Sequence, residues 1–342
     1  MTEGKIGVAV IGSGRAGMIH ARNFARGIRG AKLTAMVDPV EDAAKSACKE
    51  LELDTYYLDY RQALEDEKID AVVVVTPTVF HRDIVVGAAK AGKHILCEKP
   101  MAMNAPECVE MNKAAEDAGV KLQIGFMRRF DRNFNQAKEY IEGGEIGDVV
   151  MVKSLTHGPS KPQEWMFDIR KSNGPLAEVN SHDIDTLRWF MGKEFEEVYA
   201  LAGNYRNPEV KNEYPDFYDN VIMNVAFSGG GQGVIDGAVY VQYGYDARVE
   251  VLGTHGILFA GQLEDSNTVF CRSGNRMVRP VTKSWRNLFI DAYEEEDKAF
   301  VRAILEDSPT KVTGIDGLMA VKAVNAGNRS IMEKRPVLMS EE

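Results

Sequence analysis

From Lys5 to about Gly125 short apolar runs alternate with stretches of helical periodicity. The runs IGVAVI, KLTAMV, AVVVV, HILC and KLQI read as buried strands, four to six residues each, bounded by turn residues. Helices are predicted over Ala16 to Arg26, Val40 to Leu51, His81 to Ala91 and Asn104 to Ala118, and Gly92 and Gly119 stand where a left-handed helix stop belongs. Strand and helix in strict alternation make a parallel, doubly wound α/β sheet with crossover helices. After GFMRRFDRNF the pattern changes to strands in series: DVVMVKSL, EVYALAG, NVIMNVAF, GVIDGAVYVQY, ARVEVLG and ILFAG. One helix is expected near residues 175 to 191, and two more close the chain, from Phe289 to Glu306 and from Gly314 to Glu333. This second part reads as α+β with a large, mostly antiparallel sheet. The change of texture falls within residues 122 to 132, which divides the chain into domains 1–125 and 126–342.

Composition narrows the partners. The 342 residues are 44% hydrophobic and 27% charged, enough for two cores and a solvated surface. A net charge of −10 argues against nucleic acid or an anionic membrane, which require clustered Lys and Arg. The four cysteines, 48, 97, 108 and 271, have no CxxC spacing and are expected as free thiols in a reducing compartment. No run approaches the roughly 18 apolar residues of a membrane span, and the start of the chain lacks the pattern of a secretory leader. A cytoplasmic protein is expected.

AVIGSGRAG places Gly12, Gly14 and Gly17 in G-x-G-x-x-G spacing, after a strand and before a helix. The first allows a tight turn, the second a close approach to a pyrophosphate, and the third close packing of helix on strand; the anion then meets the helix N-terminus. Arg15 and Ala16 lie in the same loop. Asp38 ends the second strand at the offset expected of a carboxylate that grips the adenosine ribose. With Pro39 next to it rather than Arg, NAD is favoured over NADP, since a carboxylate repels a 2′-phosphate. The bland alternatives are a glycine-rich turn and an Asp-Pro turn starter. S-adenosylmethionine is a rival ligand for such a loop.

HILCEKP, at the end of a strand, decides among them. Together with AVIGSGRAG, VVTPTVFH, QIGFMRRFD and SHDIDTLRW, in this order, it resembles the glucose-fructose oxidoreductase / inositol dehydrogenase / MocA family, most closely its myo- and scyllo-inositol dehydrogenases. The resemblance covers most of the chain. It implies an N-terminal Rossmann domain that binds NAD and a C-terminal domain that binds substrate, with Thr76, His81, Glu98 and Lys99 near the cofactor. It also implies that Lys99 is catalytic, as chemistry supports: an ammonium stabilises the charge that grows on an alcohol oxygen as hydride leaves. Glu98 either holds the lysine or approaches the nicotinamide ribose. His81 either touches the cofactor or is ordinary helix-start polarity.

The family's catalytic histidine falls on His182, expected as general base. Four residues earlier inositol dehydrogenases carry Asp; this chain has Glu178, which one intact helix would place on the same face as His182, where it either orients the imidazole by a longer reach or points away. Asp183 and Asp185 read as helix-surface or packing residues, and His20, His94 and His255 as structural. Substrate contacts are expected from Arg128, His157, Trp165 and Tyr243 besides Lys99 and His182, with core packing the alternative for Tyr243. Arg129 is expected either inward or paired with Asp131. No Cys/His spacing suggests a metal. The expected function is NAD-dependent oxidation of a secondary alcohol of a cyclitol or sugar, in a homodimer or homotetramer formed through the C-terminal sheet. An NAD-using glycoside hydrolase and a non-catalytic dinucleotide sensor are the alternatives.

Overall fold

The computed structural model describes residues 4–342. Its first part alternates β1 (Ile6–Ile11), α1 (Gly17–Gly27), β2 (Ala31–Val37), α2 (Glu41–Leu51), β3 (Tyr56–Tyr57), α3 (Tyr60–Glu65), β4 (Ala71–Val74), α4 (His81–Lys90), β5 (His94–Glu98), α5 (Ala105–Ala118) and β6 (Leu122–Gly125). Among the described residues the strands form a parallel sheet in the order β3-β2-β1-β4-β5-β6. Every residue of β1 and β4 is buried, which is why their sequences are unbroken apolar runs rather than alternations. The strand order reverses direction between β1 and β4, and open α/β sheets bind ligands at the carboxyl ends of the strands beside such a switch point. The chain-end signals were local: the Asn104 side chain caps α5 through the Glu107 amide, and Gly119 ends it with φ at 65°.

The chain continues through α6 (Arg132–Glu142), β7 (Val149–Gly158), α7 (Glu164–Phe167), α8 (Ile169–Ser172), α9 (Gly174–Glu178), α10 (Ser181–Met191), β8 (Phe195–Gly203), β9 (Asn220–Phe227), β10 (Gln232–Val239), β11 (Asp246–Gly253) and β12 (Ile257–Ala260). A small hairpin of β13 (Phe270–Arg272) and β14 (Arg276–Val278) follows, then α11 (Trp285–Leu288), α12 (Ile290–Leu305), α13 (Gly314–Glu333) and β15 (Val337–Leu338). The larger sheet runs β12-β11-β7-β10-β9-β8-β15. It is antiparallel except for β7 beside β10, which run parallel.

Two corrections to the sequence reading concern organisation. The first compact unit extends to Phe130 and also takes in Asp291–Val321, while Asp131–Ile290 and Lys322–Glu342 form the second. One cut after residue 125 therefore does not divide the chain. The reason is α12, whose Phe300 and Val301 are buried in the same core as Phe24 and Leu96. The second correction is at 175 to 191, where one helix was expected and α9 and α10 are found, interrupted at Val179 and Asn180. The four cysteines are free. Among the described residues no helix is long and apolar enough to cross a membrane.

Candidate cofactor and substrate residues

The loop after β1 is shaped by its glycines. Gly12 has φ at 106°, and a Cβ there would collide with the carbonyl oxygen of Val75; a Cβ on Gly17 would strike the carbonyl oxygen of Gly12. Gly14 differs, since a Cβ on it would meet nothing within 4 Å. That space lies at the start of α1, where unsatisfied amides favour a phosphate. Arg15 is exposed in this loop and Ala16 caps α1 without a side-chain bond. Asp38 is oriented by its surroundings: Oδ2 accepts the Ser13 amide at 2.9 Å and the Ser13 hydroxyl at 2.6 Å, and Oδ1 accepts the Val40 amide at 2.9 Å. At the end of β4 the Thr76 hydroxyl is buried without a hydrogen-bond partner. An open cradle at Gly14, a fixed carboxylate at Asp38 and an orphaned hydroxyl at Thr76 fit a dinucleotide lying across the strand ends.

His81 has both ring nitrogens facing carbonyls, Nδ1 at 2.9 Å from Pro100 and Nε2 at 2.8 Å from Thr76. Burial pushes its pKa down, with those carbonyls opposing. It ties the loop after β4 to the loop after β5. Lys99 follows β5 directly, and its peptide bond to Pro100 is cis. Glu98 is buried; its Oε2 accepts the Lys99 amide at 3.0 Å and its Oε1 lies 3.2 Å from Nε2 of His20. Gly125, its neighbour on β6, leaves the space that Glu98 occupies, because a Cβ there would come within 2.8 Å of the carboxylate carbon. Arg128 is buried in a single turn over Met127–Phe130, and Arg129 pairs with Asp316 at 3.0 Å while Asp131 caps α6.

In the second unit His182 is buried in the first turn of α10. Its neighbour Asp183 is neither a surface nor an incidental packing residue. Its carboxylate accepts the hydroxyls of Ser154 at 2.5 Å and Thr156 at 2.6 Å, both from β7, and the Asn180 amide at 2.8 Å. These bonds fasten the start of α10 to the sheet and so fix where His182 begins. Gly237 on β10 belongs to the same fit, since a Cβ there would run into the Asn180 side chain. The break at Val179 and Asn180 removes the helical i, i+4 relation that was expected to join Glu178 to His182.

His157 and Tyr243 come together: Nδ1 of His157 faces the Tyr243 hydroxyl, and Nε2 lies 3.0 Å from Asp236. Side chains alternate along β7, and Ser154 and Thr156 point to α10, so His157 lies on the opposite face of the sheet. Within one chain these two expected substrate residues are therefore separated from His182. Trp165 sits in the short α7 with its ring N–H on Gln163 at 2.8 Å.

Residues 6–126 match a family described as an oxidoreductase family with an NAD-binding Rossmann fold, and residues 138–339 match that family's C-terminal alpha/beta domain. The chain belongs to the GFO_IDH_MocA oxidoreductase family. It is an NAD-dependent oxidoreductase. The myo-inositol 2-dehydrogenase of Thermotoga maritima is 36% identical over 338 residues, 98% of either chain. The scyllo-inositol 2-dehydrogenase (NAD(+)) of Bacillus subtilis is 32% identical over 336 residues, covering 98% of this chain and 96% of that one. Among solved structures, scyllo-inositol dehydrogenase from Lactobacillus casei with bound NAD(H) and scyllo-inositol superposes with a TM-score of 0.89 at 28% identity, over 98% of this chain and 99% of that chain. Family membership removes the S-adenosylmethionine reading.

Proposed function

We propose that this oxidoreductase oxidises a ring carbinol of an inositol to the ketone, with Lys99 and His182 handling the hydroxyl proton. The observation that carries the reading is full-length similarity to inositol 2-dehydrogenases in a chain that has Lys99 at the end of β5. NAD supplies the hydride acceptor when bound. The chain's own residues do the rest. Asp38 accepts the adenosine ribose hydroxyls, and the α1 amides with Gly14 take the pyrophosphate. Lys99 donates to the substrate oxygen and stabilises its growing charge, while His182 takes the proton from the same hydroxyl as C–H breaks. Arg128 is assigned to a substrate hydroxyl. Glu178 remains a candidate for orienting His182, by a route other than a shared helical face. His157 and Tyr243, on the far sheet face, are assigned to a site that a second copy of the chain completes.

The discriminating experiment is an NAD-reduction screen over inositol isomers, hexoses and glycosides. Turnover with scyllo- or myo-inositol and stoichiometric NADH release is expected. Activity confined to hexoses, or glycoside cleavage without net NADH, would overturn the substrate assignment.

A further inference from the structure

Beneath the Lys99 backbone lies a buried polar cluster drawn from four elements of the first unit. His20 on α1 has Nδ1 at 2.7 Å from Asp297 of α12 and Nε2 at 3.2 Å from Glu98 of β5. Asp297 accepts a further bond from Asn23 at 2.9 Å. Glu98 passes the connection on through its second oxygen to the Lys99 amide at 3.0 Å. Glu296, the neighbour of Asp297, is fully buried, and neither carboxylate oxygen has a hydrogen-bond partner. One ligand-type atom each from His20, Glu98 and Glu296 lie within 4.8 Å of one another. Gln123 on β6 borders the group, donating to the Glu296 carbonyl at 3.1 Å.

We propose that His20 and Asp297 are positioning residues for Lys99, acting through Glu98. This rests on the assignment of Lys99 as the group that stabilises the substrate oxygen. Glu98 has two oxygens with different tasks: one must stay on the Lys99 amide, and the other must be anchored if the carboxylate is not to rotate away. The anchor is His20, and it donates to Glu98 only while Nε2 carries a proton. Because Nδ1 is committed to Asp297, a proton on both nitrogens is required. Burial opposes the imidazolium, but the Asp297 and Glu98 carboxylates outweigh it and hold the His20 pKa well above its ordinary value. The groups around His20 are Asp297, Glu98, Glu296 and the Tyr293 ring, perpendicular to it with centroids 5.3 Å apart, and Asn23 donates to Asp297 behind it. Among these, Asp297 makes the shorter bond.

Asp297→Asn keeps the shape and an acceptor for Nδ1–H but removes the charge that keeps His20 doubly protonated. As pH rises, Nε2 loses its proton, its lone pair then faces Glu98, and the carboxylate swings off the Lys99 amide. The ratio of kcat in Asp297→Asn to kcat in wild type is expected to fall at least fivefold between pH 6 and pH 9, with KM for NAD within twofold. A ratio that does not change with pH, in an enzyme whose wild type turns over, overturns the inference and leaves the inositol assignment standing. Ile28→Ala, which trims the same core away from the cluster, controls for lost stability and should give a flat ratio.

Hydrogen exchange makes the test independent of substrate. At pH 8 to 9 the Lys99 amide is expected to exchange several-fold faster in His20→Gln and in Asp297→Asn than in wild type at the same pH, and unchanged exchange there overturns the inference. So does a stoichiometric divalent cation in the purified protein that is lost in Glu296→Gln, because His20 Nε2 and Glu98 would then be its ligands.

Discussion

At the scale of residues, individual carboxyl groups are held in opposite ways. Asp38 is oriented by three donors before any ligand arrives. Removing a charge-assisted acceptor costs about 1.5–3 kcal/mol. Asp38→Ala should therefore raise KM for NAD by about ten- to a hundredfold and narrow the preference over NADP; initial rates with both coenzymes check this. Glu296 makes the opposite use of a carboxyl. Burial, and then the neighbouring Glu98 charge, push its pKa well above the ordinary value, against the partial relief from His20. The native chain thus keeps a proton that the unfolded chain releases, and stability falls as pH rises from about 4.3 toward the folded pKa. His20, also raised, adds stability that is complete below about 6.5 and lost as pH climbs through its folded value. In Glu296→Gln the first slope disappears. Urea unfolding at pH 5 and pH 7 should show the variant gaining about 1 kcal/mol or more on wild type between the two; parallel pH dependences would contradict the buried proton. The tight turn at Gly12 and Gly17 and the strand end at Asp38 are legible because their geometry is local to one loop and one strand end. His20 was read as merely structural because its partners Glu98 and Asp297 are remote in sequence.

At the scale of elements, the start of α10 decides where His182 is held. Asp183 receives three donors, two of them strand hydroxyls. Asp183→Ala removes charge-assisted bonds worth about 1.5–3 kcal/mol each, less what relaxation recovers. A loss of about 2–4 kcal/mol in unfolding free energy is expected, together with a fall in kcat that exceeds the change in KM for NAD. Thermal denaturation and steady-state kinetics separate the two. A clue was available in KSLTH, where Ser154 and Thr156 put hydroxyls at successive inward positions of a strand, asking for an acceptor on the helix above. The missed break before α10 has a plain cause. GPLAEVNSHDID carries apolar spacing compatible with one continuous helix, and nothing in it announces that Val179 and Asn180 leave the helix.

At the scale of the whole molecule, both fold classes were legible, because unbroken apolar runs and strands in series have different textures. The return of Asp291–Val321 to the first unit was not, since amphipathicity marks a helix as buried without naming its partner. The second sheet also leaves large apolar side chains exposed at both edges of one face. Leu201 and Ile222 are paired across β8 and β9, Leu252 and Ile257 across β11 and β12, and each is more than a third exposed, with Phe259 on the same face. Exposed apolar groups of this kind beside charged residues fit a surface that meets a partner. We propose that a second copy of the chain covers it. Light scattering is expected to report a dimer or tetramer for wild type and a smaller species for Ile222→Lys; a wild-type monomer would contradict this.

Lys99 is assigned to the hydroxyl chemistry and not to the binding of coenzyme. Single-turnover formation of NADH from inositol, measured for wild type and Lys99→Ala with NAD affinity determined in parallel, tests it most directly. A loss of about a hundredfold or more in the rate is expected, with NAD affinity nearly unchanged. A variant that reduces NAD at the wild-type rate would contradict it.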